Sequence, residues 1–129
     1  MTTETRTESD SGLSERYQDV KARIDQAAQR NGRRGSDVLL VVVTKNADFQ
    51  SIQEMIDFGH MDFGESRVQN LVARSAQATE YIDRIAALPE VSGRGAPKNP
   101  NWHMVGRLQR NKVRKALEVS RLVHSVDSL

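Results

Sequence analysis

Lys45 is the residue of this chain whose type and position most suggest chemistry. It follows the apolar run Val38–Val43 and one threonine, so it lies where a buried strand would end. A lysine amine is nucleophilic only when neutral, and its ordinary pKa of about 10.4 keeps it charged unless burial or a neighbouring cation lowers that pKa. At the rim of a sheltered pocket the amine could form a Schiff base with a carbonyl ligand. The competing interpretation is a solvated lysine that begins a loop.

Three further polar residues lie in or directly after predicted strands: Glu65, Ser66 and His103. Ser66 can donate a hydrogen bond, and Glu65 could orient a strand-end group or act as an acid, although one carboxylate establishes no mechanism. His103 could face a ligand or could be a hydrogen-bonded packing residue. Side chains alternate along a strand, so Trp102 and Met104 are expected on the opposite side from His103, under the helices.

The segment 107–121 has the highest local density of positive charge. Its basic residues are Arg107, Arg110, Lys112, Arg114, Lys115 and Arg121. No aromatic residues interleave with them and the net charge of the chain is only +2. A solvated helix face therefore explains the segment better than a nucleic-acid surface does.

The elements that must position these residues alternate between helix and strand. Apolar spacing predicts helices over 13–30, 49–58, 67–88 and 110–120, and strands over 37–44, 61–63, 102–106 and 122–126. The first strand is apolar without alternation, which is typical of a strand buried on both faces of a parallel sheet. Asn46 or Asp48 is expected to cap the second helix and Gly59 to end it.

This alternation predicts an α/β fold with a parallel sheet, right-handed crossovers and functional residues at the C-terminal ends of the strands. Lys45, Ser66 and Arg107 lie near such ends. Four strands cannot close an eight-stranded barrel, so the pattern indicates either half a barrel or a small open sheet. Periodicity does not separate these two.

Composition favours one ordinary domain, because the chain has 129 residues, of which 37% are hydrophobic and 28% charged. There is no cysteine, and the spacing of the three histidines does not suggest a metal site. Residues 1–11 are polar and are expected to form a disordered N-terminus before a domain at 12–129. No apolar run approaches the roughly 18 residues of a membrane span, so we expect a cytoplasmic protein without a membrane partner.

Three sequence blocks resemble the pyridoxal phosphate homeostasis protein family. They are Val-Val-Thr-Lys at 42–45, Phe-Gly-Glu-Ser-Arg-Val-Gln at 63–69 and Trp-His-Met-Val-Gly-Arg-Leu-Gln-Arg-Asn-Lys at 102–112. The resemblance covers roughly 13–129 and only the N-terminal half of the family's (β/α)₈ barrel. It implies a parallel (β/α) half-barrel, the N-terminal part of a TIM barrel of the alanine racemase-like, type III kind.

The resemblance also implies a cofactor and a role. Lys45 would carry pyridoxal 5′-phosphate (PLP) as a Schiff base, with Ser66 and His103 near the cofactor. The family usually has Asn where this chain has Ser66, and the shorter side chain puts that contact in question. The implied function is intracellular PLP, or vitamin B6, homeostasis without turnover, with PLP-dependent apoenzymes as partners.

Three alternatives remain open. A racemase-like PLP enzyme would need a second base, and the only tyrosines, Tyr17 and Tyr81, fall on predicted helices. A half-barrel would expose two sheet edges, which favours self-association or a non-functional fragment. A basic nucleic-acid-binding module using segment 107–121 ranks last.

Overall fold

The structure, a computed structural model, describes residues 2–44, 47–89, 98–106 and 108–124, with side chains from residue 12 onward. Lys45 and Asn46 are therefore outside the described residues, as is Arg107. The chain forms two compact units, Met1–Leu40 and Val41–Leu129.

The first unit contains helix α1, Thr2–Arg30, and a single 3-10 turn, Gly35–Asp37. The helix ends where the sequence predicts, because Gly32 adopts a left-handed φ of 69° and Arg33 N–H donates to Ala28 O at 2.8 Å. A glycine without a Cβ takes this conformation at little cost.

The backbone of α1 is helical from Thr2. The segment 1–11 contains no proline and no glycine, so nothing in its backbone interrupts a helix that continues into residues 13–30. The partition of the chain into a disordered segment and a domain at residue 12 stays a prediction.

The second unit is built on a parallel sheet whose strands lie in the order β1-β2-β3-β4. The strands are β1 Val42–Val43, β2 Asp62–Glu65, β3 Asn101–Met104 and β4 Leu122–Val123, and the helices between them are α2 Phe49–Asp57, α3 Val68–Ala86 and α4 Val113–Val119. This strand order and alternation confirm the predicted parallel α/β half-barrel.

The first strand is much shorter and less buried than the sequence predicts. Only Val42 and Val43 pair with β2, and Val43 is 53% exposed. β1 lies at the edge of the sheet, so within the described residues it has β2 as a neighbour on one side. At the other end of the predicted strand, Asp37 instead closes the 3-10 turn by accepting from Arg34 N–H at 3.1 Å.

The later elements lie close to their predicted positions. Helix α2 begins after Asp48, whose Oδ1 accepts from Ser51 N–H at 2.9 Å, and ends before Gly59, which has a φ of 90°. The helix predicted over 110–120 begins as a 3-10 turn, Arg110–Lys112, and becomes α-helical from Val113. Residues 125 and 126 of the predicted fourth strand are outside the described residues.

One face of the sheet packs against the helices. The register sets Phe63 beside Trp102, with ring centroids 5.5 Å apart, and α3 packs against β2 and β3. Ile52 from α2 and Leu71 from α3 are fully buried. Burial of a large apolar side chain contributes about 1.5–3 kcal/mol, so this layer is the main source of stability in the second unit.

The other face of the sheet carries Gly64 at its centre. A Cβ added to Gly64 would lie 2.9 Å from Val105 Cγ1 and 3.1 Å from Val41 Cγ1. These valine side chains come from the segments on either side of β2, and they approach each other over the glycine. Any larger residue at position 64 would force them apart.

Candidate functional site

The described residues on either side of Lys45 and Asn46 are Thr44 and Ala47. Thr44 N–H donates to Gly64 O at 3.0 Å, and Ala47 N–H donates to Thr44 O at 3.1 Å. The backbone is therefore hydrogen-bonded both directly before Lys45 and directly after Asn46.

Glu65 is buried at the C-terminal end of β2, with only 1% of its surface exposed. It lies on the helix-facing side of the sheet because side chains alternate along β2 and Phe63 is on that side. Its Oε1 accepts from Thr44 Oγ1 at 2.6 Å. Among the described residues its Oε2 has no hydrogen-bond partner. The expectation that Glu65 orients a strand-end group matches its bond to Thr44.

Arg74 joins α3 to Ala47, in the segment before α2. Its Nη2 donates to Ala47 O, and its Nε lies 3.9 Å from Glu65 Oε1. The sequence analysis gave no role to Arg74. The available signal was position, because Arg74 lies three residues after Leu71 and four before Ala78, both of which are buried. A charged residue in such a stripe needs a buried partner.

Ser66 follows β2 and is half-buried beside Gly106. A Cβ on Gly106 would lie 2.5 Å from Ser66 O, so only glycine permits this close approach of the two strand ends. Ser66 also borders an open cavity of about 290 Å³ between the start of α3 and the segment before α4. The cavity is lined by Ser66, Arg67, Val68, Gln69, Gln109 and Lys112.

His103 is buried on the opposite side of the sheet from Trp102 and Met104, as predicted. Its Nε2 lies 3.0 Å from Asp62 Oδ1, and its Nδ1 lies 2.9 Å from His124 Nε2. A carboxylate only accepts, so His103 Nε2 carries the proton and, in a neutral ring, Nδ1 accepts from His124. His103 is thus fully hydrogen-bonded, and its contact with a cofactor stays a prediction.

The structure brings together Thr44, Glu65 and Arg74, and Ser66 directly follows Glu65 in the chain. Within the described ranges no group of three or more histidine, aspartate and glutamate side chains is arranged to hold a metal ion. In the same part of the chain no helix is long and apolar enough to cross a membrane.

Curated relatives of this chain share one description. It is 34% identical over 119 residues to the pyridoxal phosphate homeostasis protein of Pseudomonas aeruginosa, covering 92% of this chain and 44% of the relative. It is 37% identical over 92 residues to the protein of that name from Synechocystis, covering 71% and 35%. The Escherichia coli K12 protein of that name is 34% identical over 110 residues, covering 85% and 41%.

Solved structures give the same result. The chain matches PipY of Synechococcus elongatus without PLP at a TM-score of 0.56 and 34% identity, covering 81% of this chain and 41% of PipY. It matches PipY with PLP bound at a TM-score of 0.57 and 32% identity, covering 81% and 42%. No family model matches the chain. The chain therefore spans less than half the length of the relatives that it matches.

Proposed function

This chain is a relative of the pyridoxal phosphate homeostasis proteins over less than half of their length, and from that premise we propose that it binds PLP through Lys45 and serves PLP homeostasis. The observation that carries the proposal is the position of Lys45 in the chain, two residues after the end of β1. Its described neighbour Thr44 is hydrogen-bonded to β2, and functional groups of parallel α/β folds collect at such strand ends.

The proposed chemistry needs only the lysine and the aldehyde of PLP. The neutral amine of Lys45 adds to the aldehyde carbon and a water molecule leaves, so that a carbon–nitrogen double bond links cofactor and chain. Thr44 and Ala47 support this role because their bonds fix the backbone on both sides of Lys45.

The proposal covers the attachment of the PLP aldehyde and does not assign a ligand to its phosphate. Ser66, beside the 290 Å³ cavity, offers a hydroxyl at the same edge of the sheet, and the cavity has two cationic side chains, Arg67 and Lys112. In eight-stranded barrels a phosphate is commonly held by loops after strands seven and eight, whereas the described residues contain four strands. The proposal therefore assigns Lys45, Ser66 and His103 to the cofactor and assigns no phosphate ligand.

A carrier without turnover fits the chain better than a racemase-like enzyme. A racemase needs a second base that faces the ligand. Tyr81 OH donates to Asp57 Oδ1 at 2.7 Å, in a contact between α3 and α2. Burial and this bond raise the pKa of Tyr81 to about 12, so it stays protonated at neutral pH. Transfer of PLP to apoenzymes and a cytoplasmic location are part of the proposal.

Covalent labelling tests the attachment. Protein incubated with PLP and reduced with borohydride is expected to gain the mass of one reduced pyridoxyl group on the peptide that contains Lys45. Lys45→Ala should abolish this label. Lys115→Ala, which removes an exposed lysine of α4, should leave it unchanged.

Two results would contradict the proposal. One is no added mass on the Lys45 peptide, and the other is a label of equal intensity on every surface lysine, which would show unselective reaction. Turnover of an amino acid above the Lys45→Ala control would instead support the enzyme alternative.

A further inference from the structure

His124 directly follows β4 and is exposed, so it lies at the strand ends where functional groups of parallel α/β folds collect. We propose that His124 is a proton-accepting residue whose neutral ring carries its hydrogen on Nε2 and leaves Nδ1 unprotonated. Four positioning residues impose this tautomer: Arg121, Asn101, Asp62 and His103. The site would take a ligand group that offers an O–H or N–H hydrogen, such as a hydroxyl or an ammonium group. The inference goes beyond the proposed function, because it does not depend on PLP binding.

The five side chains form one hydrogen-bonded series across the sheet, which we call the polar network. Arg121 Nη1 donates to Asn101 Oδ1 at 3.1 Å, and Asn101 Nδ2 donates to Asp62 Oδ1 at 3.3 Å. The same Asp62 oxygen lies 3.0 Å from His103 Nε2, and His103 Nδ1 lies 2.9 Å from His124 Nε2. The polar network therefore begins directly before β4, crosses β3 and β2, and ends directly after β4.

The direction of each hydrogen bond follows from the donor at one end of the polar network. A guanidinium only donates, so Asn101 presents its oxygen to Arg121 and its amide hydrogens to Asp62. A carboxylate only accepts, so His103 Nε2 carries a hydrogen. In a neutral His103 ring Nδ1 is then the acceptor, and His124 Nε2 donates to it. The other ring nitrogen of His124, Nδ1, is left with a lone pair.

Burial and a backbone bond hold the two histidine rings in this arrangement. His103 is only 1% exposed, so water competes little for its two ring nitrogens. His124 N–H donates to Met104 O at 2.8 Å, which extends the pairing of β3 with β4 by one residue. The two rings are stacked, with their centroids 5.1 Å apart. The His124 ring is thus held at Nε2 although the residue is exposed.

A ligand hydroxyl or ammonium group that meets Nδ1 can give its proton to His124. The new N–H bond forms as the O–H or N–H bond of the ligand breaks, the electron pair stays on the ligand atom, and the ring becomes an imidazolium. Its Nε2–H remains bonded to His103, and the Asp62 carboxylate on the far side of that ring supplies negative charge. Arg121, the other charged member, is separated from Asp62 by the neutral Asn101.

Nuclear magnetic resonance of isotopically labelled histidine tests the tautomers in the protein without PLP. At a pH where both rings are neutral, the hydrogens should be found on Nε2 of His103 and on Nε2 of His124. A scalar coupling between His124 Nε2 and His103 Nδ1 should be present, because an N–H···N hydrogen bond couples the two nitrogens. A coupling with the hydrogen attached to His103 Nδ1 would show the opposite direction.

Diethyl pyrocarbonate tests the reactivity of Nδ1, because it adds an ethoxycarbonyl group to an unprotonated imidazole nitrogen. Mass spectrometry of the parent protein should find this group on the peptide that contains His124 before it appears on the peptide that contains His103. His124→Gln should remove the label from the first peptide.

An exchange of two side chains reverses the polar network without changing its net charge. In the double variant Asp62→Asn, Asn101→Asp, the carboxylate accepts from Arg121 and the amide donates to His103 Nε2. His103 Nδ1 must then donate to His124, whose own hydrogen moves to Nδ1. The coupling should report the reversed direction, and labelling of His124 should slow by at least about fivefold, the population ratio that one hydrogen bond commands.

The matched control is Asp62→Asn alone. Asn101 still turns an amide hydrogen toward position 62, so the new amide presents its oxygen to Asn101 and to His103. This variant should keep the original coupling and the label. Asp83→Asn, which changes an exposed carboxylate on α3, should also alter neither.

Circular dichroism checks that each variant is folded. Should the exchange variant not fold, Asp62→Asn combined with Arg121→Ala carries the test. Without the guanidinium both amides are free to turn, so the coupling and the label should weaken relative to Asp62→Asn alone.

Three results overturn the inference: a hydrogen on His124 Nδ1 in the parent protein, no coupling between the two rings, or equal labelling of His124 in the parent and the exchange variant. Labelling of Lys45 by PLP is measured separately. Its failure overturns the proposed function and leaves the role of His124 standing, and the reverse also holds.

Discussion

Single polar residues of this chain take their roles from partners that are distant in sequence. Glu65 is bonded to Thr44, 21 positions earlier, and His103 to Asp62, 41 positions earlier. The sequence predicted that Glu65, Ser66 and His103 lie in or directly after strands, because the spacing of apolar residues indicates where each strand lies in the chain. It did not predict their partners, since spacing within an element says nothing about which other element faces it. The cofactor identity came from the resemblance alone.

Tyr81 allows a pH prediction at the residue scale. Burial first, and then the bond to Asp57 and its charge, raise the pKa of Tyr81 from 10.0 to about 12. The neutral phenol is therefore favoured by folding, and its contribution to stability is present below pH 10 and lost as the pH rises toward 12. Asp57→Asn should lower the midpoint of Tyr81 but leave it above the ordinary value, because burial remains.

Near-ultraviolet absorbance of tyrosinate follows this titration, and Tyr81→Phe identifies which transition belongs to Tyr81 rather than to Tyr17. An unchanged Tyr81 midpoint in Asp57→Asn would show that the hydrogen bond has no influence on the phenol.

Elements that begin or end at a capping residue or a glycine visible in the sequence lie where they were predicted. Helix α2 begins after a capping aspartate and ends at a left-handed glycine, and both signals are visible in the sequence. Strand β1 is the main exception. Its apolar run indicated a strand buried on both faces, but the length of a strand depends on its neighbour, and only two residues of β1 meet β2. An edge position has no sequence signal of its own.

Gly106→Ala tests the close packing of two elements. The added methyl would lie 2.5 Å from Ser66 O, a backbone atom that cannot move aside without shifting the end of β2. We expect a loss of about 1–3 kcal/mol in the free energy of unfolding. Urea denaturation followed by circular dichroism measures it.

Gly12→Ala is the matched control, because this glycine lies in α1 and the closest atom to its added Cβ is Arg16 Nη1 at 3.6 Å. It should be neutral or stabilise the helix by up to about 1 kcal/mol. Equal stability of the Gly106→Ala protein and the parent would contradict the tight approach at Ser66.

At the scale of the whole molecule, the parallel sheet of the second unit has two edge strands. Its outer strands are β1 and β4, each paired on one side within the described residues. Val43 and Leu122 belong to one cross-strand row with Gly64 and His103, and they are 53% and 45% exposed. Unpaired edges beside exposed apolar side chains favour pairing with another chain.

We therefore expect self-association that increases with protein concentration, measurable by sedimentation velocity. The double variant Val43→Lys, Leu122→Lys should shift the protein toward monomer, since charges at sheet edges oppose pairing. Leu88→Lys changes a similarly exposed leucine outside the sheet and should have no such effect. A monomer at every concentration tested would contradict the prediction.

Val41 and Val105 limit how closely any ligand can approach the sheet at Gly64. Their side chains fill the space above this glycine and make that face of the sheet apolar. A planar ligand on this face would therefore contact the two valine side chains rather than the backbone of Gly64. Enlarging either valine would reduce the space on this face without changing a polar contact.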